Sequence, residues 1–427
     1  MSQLAIFGGP RAVDRTFRPY PSIGKREAAA VARVMESGTL SAFYGSWSDE
    51  FFGGPEVQAF ERAWGERFGA KHVVSVNSAT SGLIAAMGAV GVTPGSEVIV
   101  PPLTMSATAV APLFYGGIPV FADVEPDTFS LDVAAVKKAI TPKTKAIIAV
   151  NLFGHPAHLH ELRDIADAHR IALVEDIAQS ILTTERGRPA GTIGHIGVFS
   201  LNYHKHIHAG EGGMCTTDDD TLARKMQMIR NHAENIVEPT GMEDPTNMVG
   251  FNFRLTELAA AIGLVQLAAV DEHVRRRVRL GERLTEASRG LEGLTPPIVR
   301  EGCTHAYYLW ALRVDAHRLG VPRDLFAKAL EAEGFPNAIG YVRPLYHLPL
   351  FQKRIAFGGY PFNLTERTYP KGLCPVAERI HVEELVSYEP CAHDVDDEGA
   401  RLLGEAIRKV HQHREELAAR QIEVTAS

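Results

Sequence analysis

Cysteine, clustered positive charge and long apolar runs are all scarce in this sequence of 427 residues. The four cysteines are far apart and lack CxxC spacing, which argues against a disulfide framework and against a zinc ribbon. The net charge is -7 and no basic cluster offers a surface to nucleic-acid phosphates, so we expect no nucleic-acid partner. Apolar stretches such as residues 96–121 are broken by proline and glycine, and the first residues lack an export signal. We therefore expect a cytoplasmic protein with no membrane partner.

Short apolar runs alternate with helical periodicity between about residues 71 and 217. Runs such as KHVVSV, KAIIAV and IALVED are short and uniformly apolar, as in strands that are buried on both faces. The segment HLHELRDIADAHR between two of these runs has the spacing of an amphipathic helix. The alternation predicts an α/β fold with a mostly parallel central sheet.

The chain is long enough for two domains, and its character changes after about residue 255. The stretch TELAAAIGLVQLAAVDEHVRRRVRLGERL predicts one long helix, or two in series, that leads into a second domain. Later segments mix a strand pattern (YYLWALRV) with a helix pattern (RDLFAKALEAEG). We predict a large α/β domain over residues 1–265, N-terminal segment included, and a smaller α+β domain over residues 266–427.

Three stretches of the first domain carry candidate chemistry, and each follows a predicted strand. In NSATSG small residues leave backbone N–H groups open to an anion, although Ser78 could simply cap a helix. In VEDIAQS a buried Asp176 needs a partner, which could be a protonated ring, a helix start or an ion pair. In FSLNYHKHIHAGEGG, Lys205 is either a surface cation or a nucleophile able to form a Schiff base. Ligands of open sheets gather at the carboxyl ends of strands, so the three stretches could meet in one site.

Together with VIVPPLT, IPVFADVEPDTF, GFNFRLTELAAAIG and PVAERIHVEEL, these stretches resemble the DegT/DnrJ/EryC1/StrS family, in order and spacing, over nearly the whole chain. Members of that family are fold-type I aminotransferases that depend on pyridoxal phosphate and aminate keto sugars and ketocyclitols. The resemblance implies that this chain is such an aminotransferase, with pyridoxal 5'-phosphate as its cofactor. It also implies a homodimer whose active sites are shared between the subunits.

The resemblance gives individual residues expected roles. Lys205 matches the lysine that forms a Schiff base with the cofactor, and Asp176 matches the aspartate that pairs with the pyridine nitrogen, so both are expected to be catalytic. Gln179 matches a glutamine near the phenolic oxygen of the ring. The positions that match residues against the phosphate and the ring face are Ala79, Thr80, Met105, Ser200 and Asn252. Met105 departs from the family, where an aromatic residue is frequent, and Asn252 is expected to reach the cofactor of the neighbouring subunit.

The resemblance also implies the reaction. Glutamate or glutamine is the expected amino donor, and the acceptor is a keto sugar, nucleotide-linked or phosphorylated, or a ketocyclitol, in antibiotic or surface-glycan biosynthesis. A dehydratase or eliminase that uses the same cofactor on a related sugar is the alternative, although relatives with dehydratase activity carry histidine in place of the lysine. The candidates for substrate contact are His204, Tyr341, Arg343, Tyr346, His347 and His381.

A metal-dependent hydrolase is the alternative from another class. In an extended segment His204, His206 and His208 would share one face, and three imidazoles could bind a divalent metal. That interpretation leaves VEDIAQS and the anion turn unexplained. We therefore predict no metal site, and we expect one histidine to line the substrate pocket while the others are structural.

Overall fold

A computed structural model describes residues 3–421 of the chain. Its strands, in chain order, are β1 (Arg18–Pro19), β2 (His72–Val76), β3 (Glu97–Val100), β4 (Ile118–Phe121), β5 (Thr144–Val150), β6 (Ala172–Asp176), β7 (Thr184–Glu185), β8 (Arg188–Pro189), β9 (Ile196–Ser200), β10 (Gly213–Thr217), β11 (Leu294–Thr295), β12 (Trp310–Val314), β13 (Ala338–Ile339), β14 (Leu385–Tyr388) and β15 (His393–Asp394). Its α-helices are α1 (Lys25–Ser37), α2 (Pro55–Phe68), α3 (Ala79–Ala89), α4 (Ala107–Val110), α5 (Val133–Ala139), α6 (Leu159–His169), α7 (Asp220–Arg230), α8 (Val237–Thr240), α9 (Glu257–Ala268), α10 (Val270–Ser288), α11 (Ala316–Leu319), α12 (Arg323–Ala332), α13 (Pro349–Gln352), α14 (Pro375–Arg379), α15 (Asp397–Gln412) and α16 (Arg414–Ala419).

The central sheet has seven strands in the order β2-β10-β9-β6-β5-β3-β4. Five consecutive strands run parallel to one another, in the order β9-β6-β5-β3-β4. Strand β10 runs antiparallel to both of its neighbours, β2 and β9. The prediction of a mostly parallel sheet is confirmed. Parallel order brings the carboxyl ends of β5, β6 and β9 to one edge of the sheet, where ligands bind in open α/β folds.

Both faces of the central sheet are covered, which explains why its strands read as continuous apolar runs. Successive side chains of a strand point to opposite faces, so Val98 and Val100 of β3 join one apolar cluster while Ile99 joins the other. Helices α3 and α7 pack on one side, and α2 and α6 contribute to the other. The two clusters hold the edge that carries the site in a fixed position.

The long stretch after the central sheet folds as two helices rather than one. Helix α9 ends at Ala268 and α10 begins at Val270, with Ala269 at φ -105° and ψ 2° between them. Helix α9 packs against α1 and α2, whereas α10 packs against α15. Within residues 3–421 no helix is both long enough and apolar enough to cross a membrane.

The C-terminal part forms a second, antiparallel sheet in the order β11-β12-β14-β13, packed with α10, α12 and α15 around its own core. The first residues of the N-terminal segment pack in this core, whereas α1 farther along the chain packs against α9. Leu4 and Val13 are buried in this second core, and the N–H groups of Ala5 and Ala12 donate to the carboxylate of Glu333. The chain start therefore packs with the C-terminal sheet, and the division near residue 265 stays a prediction.

Candidate active site at the carboxyl edge of the central sheet

Lys205 lies in the loop that joins β9 to β10. The backbone turns there, since the N–H of Lys205 donates to the carbonyl of Asn202 at 2.9 Å. Its Nζ is 4.4 Å from the centre of the Tyr308 ring. Burial lowers the pKa of Lys205 to about 8, while the negative charge of Asp176 opposes that shift. A lysine of this kind is partly neutral near physiological pH, which a nucleophile or a proton carrier requires.

Asp176 ends β6 and is buried. Its Oδ1 accepts from the N–H of Ala178 at 3.0 Å, and its Oδ2 accepts from the hydroxyl of Thr108 at 3.1 Å. Burial raises the pKa of Asp176, and these two hydrogen bonds together with the charge of Lys205 oppose that increase. No ion pair to its carboxylate forms among the described residues, so the carboxylate is suited to a cationic ring nitrogen.

Gln179 joins the central sheet to the C-terminal part of the chain. Its Oε1 accepts from the N–H of Phe153, and its Nε2 donates to the hydroxyl of Tyr341, each at 2.8 Å. Burial raises the pKa of Tyr341 to about 12, so the tyrosine is a neutral hydroxyl at physiological pH. Tyr341 is the one predicted substrate contact for which the described residues show a direct bond to a predicted cofactor residue.

The start of α3 forms an anion cradle with neighbouring strand ends. Ser78 caps the helix by accepting from the N–H of Ser81, which leaves the N–H groups of Ala79 and Thr80 for another acceptor. The strand register brings Ser200 opposite Gly213 in β10, which in turn lies opposite Val76 just before α3. The four groups at this edge, hereafter the anion cradle, are the two N–H groups, the Ser200 hydroxyl and the bare Cα of Gly213.

Met105 stands at the turn before α4 and is 62% exposed. Its carbonyl accepts from the N–H of Thr108, the residue whose hydroxyl holds Asp176. The segment that carries Met105 is thus fixed to the end of β6. Contact between Met105 and a cofactor ring stays a prediction.

Asn252 is exposed next to the anion cradle of its own chain. Its carbonyl accepts from Nδ2 of Asn77 at 3.3 Å, and its Oδ1 accepts from Nε of Arg254 at 2.8 Å. The N–H of Asn77 donates to the carbonyl of Phe253 at 2.8 Å. These bonds fix the segment GFNFR against the helix start, and contact with a neighbouring subunit stays a prediction.

Three of the other predicted substrate residues of the C-terminal part form hydrogen bonds within and between loops. The hydroxyl of the buried Tyr346 donates to Glu378, and Nε2 of His347 lies 3.1 Å from the same carboxylate. Nδ1 of His381 donates to the carbonyl of Gly340 at 2.7 Å. Arg343 is exposed. The structure does not join these four side chains to Lys205, and their contact with a substrate stays a prediction.

The three histidines around Lys205 do not form a metal site. The loop bends, so the extended segment that the hydrolase alternative requires does not form, and the ring nitrogens of His206 and His208 have different partners. Nε2 of His206 lies 2.8 Å from the carbonyl of Ala306, Nε2 of His208 lies 2.7 Å from the Ser22 hydroxyl, and His204 packs against the Tyr308 ring. Burial lowers the pKa of His206 to about 3 and that of His204 to about 4. Within the described ranges no group of three ligating side chains could hold a metal, which removes the basis of the hydrolase alternative.

Sequence reasoning missed the residues that the C-terminal part brings to Lys205. Tyr308 lies under its Nζ, and the charge of Glu389 acts on its pKa. Thr108 was missed as well, although it bonds Asp176. None of these residues has a local signal, because HAYYLW reads as the start of one strand and SYEPC as the end of another.

Comparison with known proteins agrees with this geometry. Residues 21–386 match the model of the DegT/DnrJ/EryC1/StrS aminotransferase family. The spore coat polysaccharide biosynthesis protein SpsC of Bacillus subtilis (strain 168) is 34% identical over 386 residues, which is 87% of this chain and 95% of SpsC. The GDP-perosamine synthase of Caulobacter vibrioides is 37% identical over 297 residues, which is 68% of this chain and 76% of that protein. The crystal structure of DesI in the presence of its TDP-sugar product has a TM-score of 0.78 and 30% identity, covering 98% of this chain and 99% of DesI.

Proposed function

This chain belongs to the DegT/DnrJ/EryC1/StrS aminotransferase family, and we propose that it transfers an amino group to a nucleotide-linked keto sugar during the synthesis of a surface glycan. Its membership makes it a pyridoxal-phosphate-dependent aminotransferase of fold type I. The nucleotide-linked acceptor is supported by two relatives, the GDP-perosamine synthase and DesI with its TDP-sugar product. The glycan setting is supported by the spore coat polysaccharide protein.

The residues of the site fit the cofactor. Asp176 offers a buried carboxylate that forms no ion pair within the described residues, and this suits a protonated ring nitrogen. The anion cradle suits a phosphate, because a Cβ on Gly213 would come within 2.8 Å of the Ala79 nitrogen and fill the space beside it. Lys205 would hold the cofactor covalently, and Gln179 would lie near the ring. The observation that carries the proposal is the meeting of Lys205, Asp176 and the anion cradle at one sheet edge.

Three residues of the site, Lys205, Tyr308 and Asp176, have separate roles in the proposed reaction. When bound, pyridoxal phosphate supplies a conjugated ring that takes up the electron pair left when a proton leaves the substrate carbon. Lys205 accepts that proton at Nζ and returns it to the neighbouring position, which its pKa of about 8 allows near neutral pH. The face of the Tyr308 ring stabilises the ammonium form of Lys205 in the meantime. Asp176 would pair its carboxylate with the ring nitrogen and so favour the protonated ring.

The finer features of the proposal rest on the family resemblance. Glutamate or glutamine is the proposed amino donor, and the active unit is a homodimer in which Asn252 reaches the cofactor of the neighbouring subunit. The proposed location is the cytoplasm. Dehydration is disfavoured because Lys205 stands where dehydrating relatives have histidine.

The test is a two-step reaction on the purified holoenzyme. Glutamate or glutamine alone should bleach the yellow absorbance of the bound cofactor, and a 4-keto hexose linked to GDP or TDP should restore it with formation of an amino sugar. Lys205→Ala should give neither change. Restoration of the colour without nitrogen in the sugar product would instead identify an eliminase. Failure of both nucleotide-linked ketones, with ready turnover of a free ketocyclitol, would overturn the nucleotide-linked acceptor.

A further inference from the structure

A cavity of about 350 Å³ lies beside the C-terminal sheet, and the ring of Tyr308 in its wall also packs against Nζ of Lys205. Its walls include Tyr308, Tyr341, Tyr388, Glu389 and His393. Pockets that enclose small molecules start at ~300 Å³. The cavity is thus large enough for one sugar ring and small enough to select among rings.

Strand register explains why two residues of the cavity wall lie near the reacting lysine. Strands β12 and β14 pair antiparallel with Trp310 opposite Tyr388, so the residues just before Trp310 lie opposite those just after Tyr388. This register brings Tyr308 and Glu389 to the same edge of the sheet. Tyr308 lies 4.4 Å from Nζ of Lys205 at its ring centre, which links the cavity wall directly to the site.

The opposite wall is linked to the cofactor residues as well. The Tyr341 hydroxyl accepts from Nε2 of Gln179 at 2.8 Å. Gln179 follows Asp176 by three residues in the chain. Tyr308 and Tyr341 therefore both connect the cavity wall to residues of the candidate site. Flat aromatic walls of this kind pack against the apolar faces of a sugar ring while their hydroxyls bond its edge.

Glu389 is the carboxylate in this lining and is partly buried. No hydrogen bond or ion pair to its carboxylate forms among the described residues. Burial raises the pKa of Glu389, and the charge of Lys205 opposes this increase only in part. Tyr341 and Tyr388 line the same cavity as Glu389. A partly buried carboxylate without a partner loses free energy unless a ligand donates to it.

We propose that Glu389 determines acceptor specificity by accepting hydrogen bonds from the ring hydroxyls of an uncharged sugar in this cavity, and that it disfavours ligands with a carboxylate there. The inference rests on the proposed function and names the subsite that binds the acceptor ring. Hydroxyl groups donate to a carboxylate, whereas a second carboxylate at the same place only repels it. The two half-reactions therefore respond to Glu389 in opposite directions, because the sugar has hydroxyls where glutamate has carboxylates.

The first experiment measures binding to the holoenzyme by calorimetry, with probes that lack a ketone. GDP-mannose and TDP-glucose are each compared with GDP and TDP, which gives the contribution of the hexose ring. Glu389→Gln should reduce that contribution about 10- to 100-fold, since hydrogen bonds to a charged group are lost. Glu389→Asp should retain part of it. Glu383→Gln makes the same change at an exposed carboxylate on the same segment, so it is the matched control and should bind like the wild type.

The second experiment follows the donor half-reaction with glutamate alone, and it does not depend on the identity of the acceptor. Removal of the negative charge should make Glu389→Gln faster than wild type by about threefold or more. If wild-type protein binds neither nucleotide sugar, the proposed acceptor class fails, and this donor rate still decides the role of Glu389. An unchanged ring contribution, or a glutamate rate in Glu389→Gln equal to or below that of wild type, would overturn the inference.

Discussion

Gly213 is the residue whose replacement tests the anion cradle most sharply. A Cβ at this position would come within 2.8 Å of the Ala79 nitrogen and of the Ser78 carbonyl carbon, and within 2.9 Å of the Phe199 oxygen. All three are backbone atoms, so relief requires a shift of β10 against the start of α3. The backbone of Gly213 is not left-handed, so Gly213→Ala adds bulk without torsional strain.

The size of the effect follows from the cost of overpacking, about 1–3 kcal/mol. A gain of about 0.4–1 kcal/mol from reduced freedom of the unfolded chain offsets part of that cost in the free energy of unfolding. This gain does not act on cofactor affinity, because the cradle moves in the folded state. If the displacement falls on the N–H groups of the cradle, pyridoxal phosphate affinity should fall by about 5- to 100-fold.

The assay is titration of apoprotein with pyridoxal phosphate, followed by visible absorbance, beside thermal unfolding of the same samples. Gly45→Ala is the matched control, since its new Cβ would have a single neighbour at 4.0 Å and its backbone is likewise not left-handed. A Gly213→Ala protein that binds the cofactor within twofold of wild type would refute the assignment of the phosphate to this turn.

Three further predictions concern single side chains. His206 has a pKa of about 3 in the folded protein, so its contribution to the free energy of unfolding is complete above pH 6.5 and is lost as pH falls towards 3. His206→Asn should therefore reduce the decrease in the free energy of unfolding between pH 7 and pH 5, by up to ~1.4 kcal/mol per pH unit. A decrease as steep as that of the wild type would contradict this. Met105→Phe should bind pyridoxal phosphate about 2- to 10-fold more tightly, since a flat ring stacks better than a thioether, and titration giving no gain would count against a position over the cofactor. Tyr341→Phe leaves Nε2 of Gln179 without its acceptor and should slow the donor half-reaction about fivefold, whereas a wild-type rate would show that this bond is dispensable.

Much of the fold could be predicted because its signals are local. The apolar runs of β2, β5 and β6 are short segments whose composition alone favours buried strands, and each forms where it was expected. The sequence left one helix or two in series open for α9 and α10, because Ala269 carries no glycine or proline signal that would place the break. Tertiary packing decides that break, since the two helices pack against different parts of the chain.

The candidate site divides in the same way. Asp176 and Lys205 follow strands in recognisable segments, so the sequence indicates them directly. Tyr308 and Glu389 reach Lys205 only because the C-terminal sheet docks there, and a contact across more than 100 residues leaves no pattern in the sequence. The packing of the first residues against the C-terminal core leaves no pattern for the same reason, since Leu4 is buried against residues near the other end of the chain.

The most direct test of the account is to find the lysine that holds the cofactor. The holoenzyme is treated with borohydride, which fixes a Schiff base as a stable secondary amine, and is then digested and examined by mass spectrometry. The account predicts the added mass of reduced pyridoxal phosphate on Lys205, and no such peptide from Lys205→Ala. A cofactor fixed to another lysine, or a wild-type protein that takes up no pyridoxal phosphate, would contradict it.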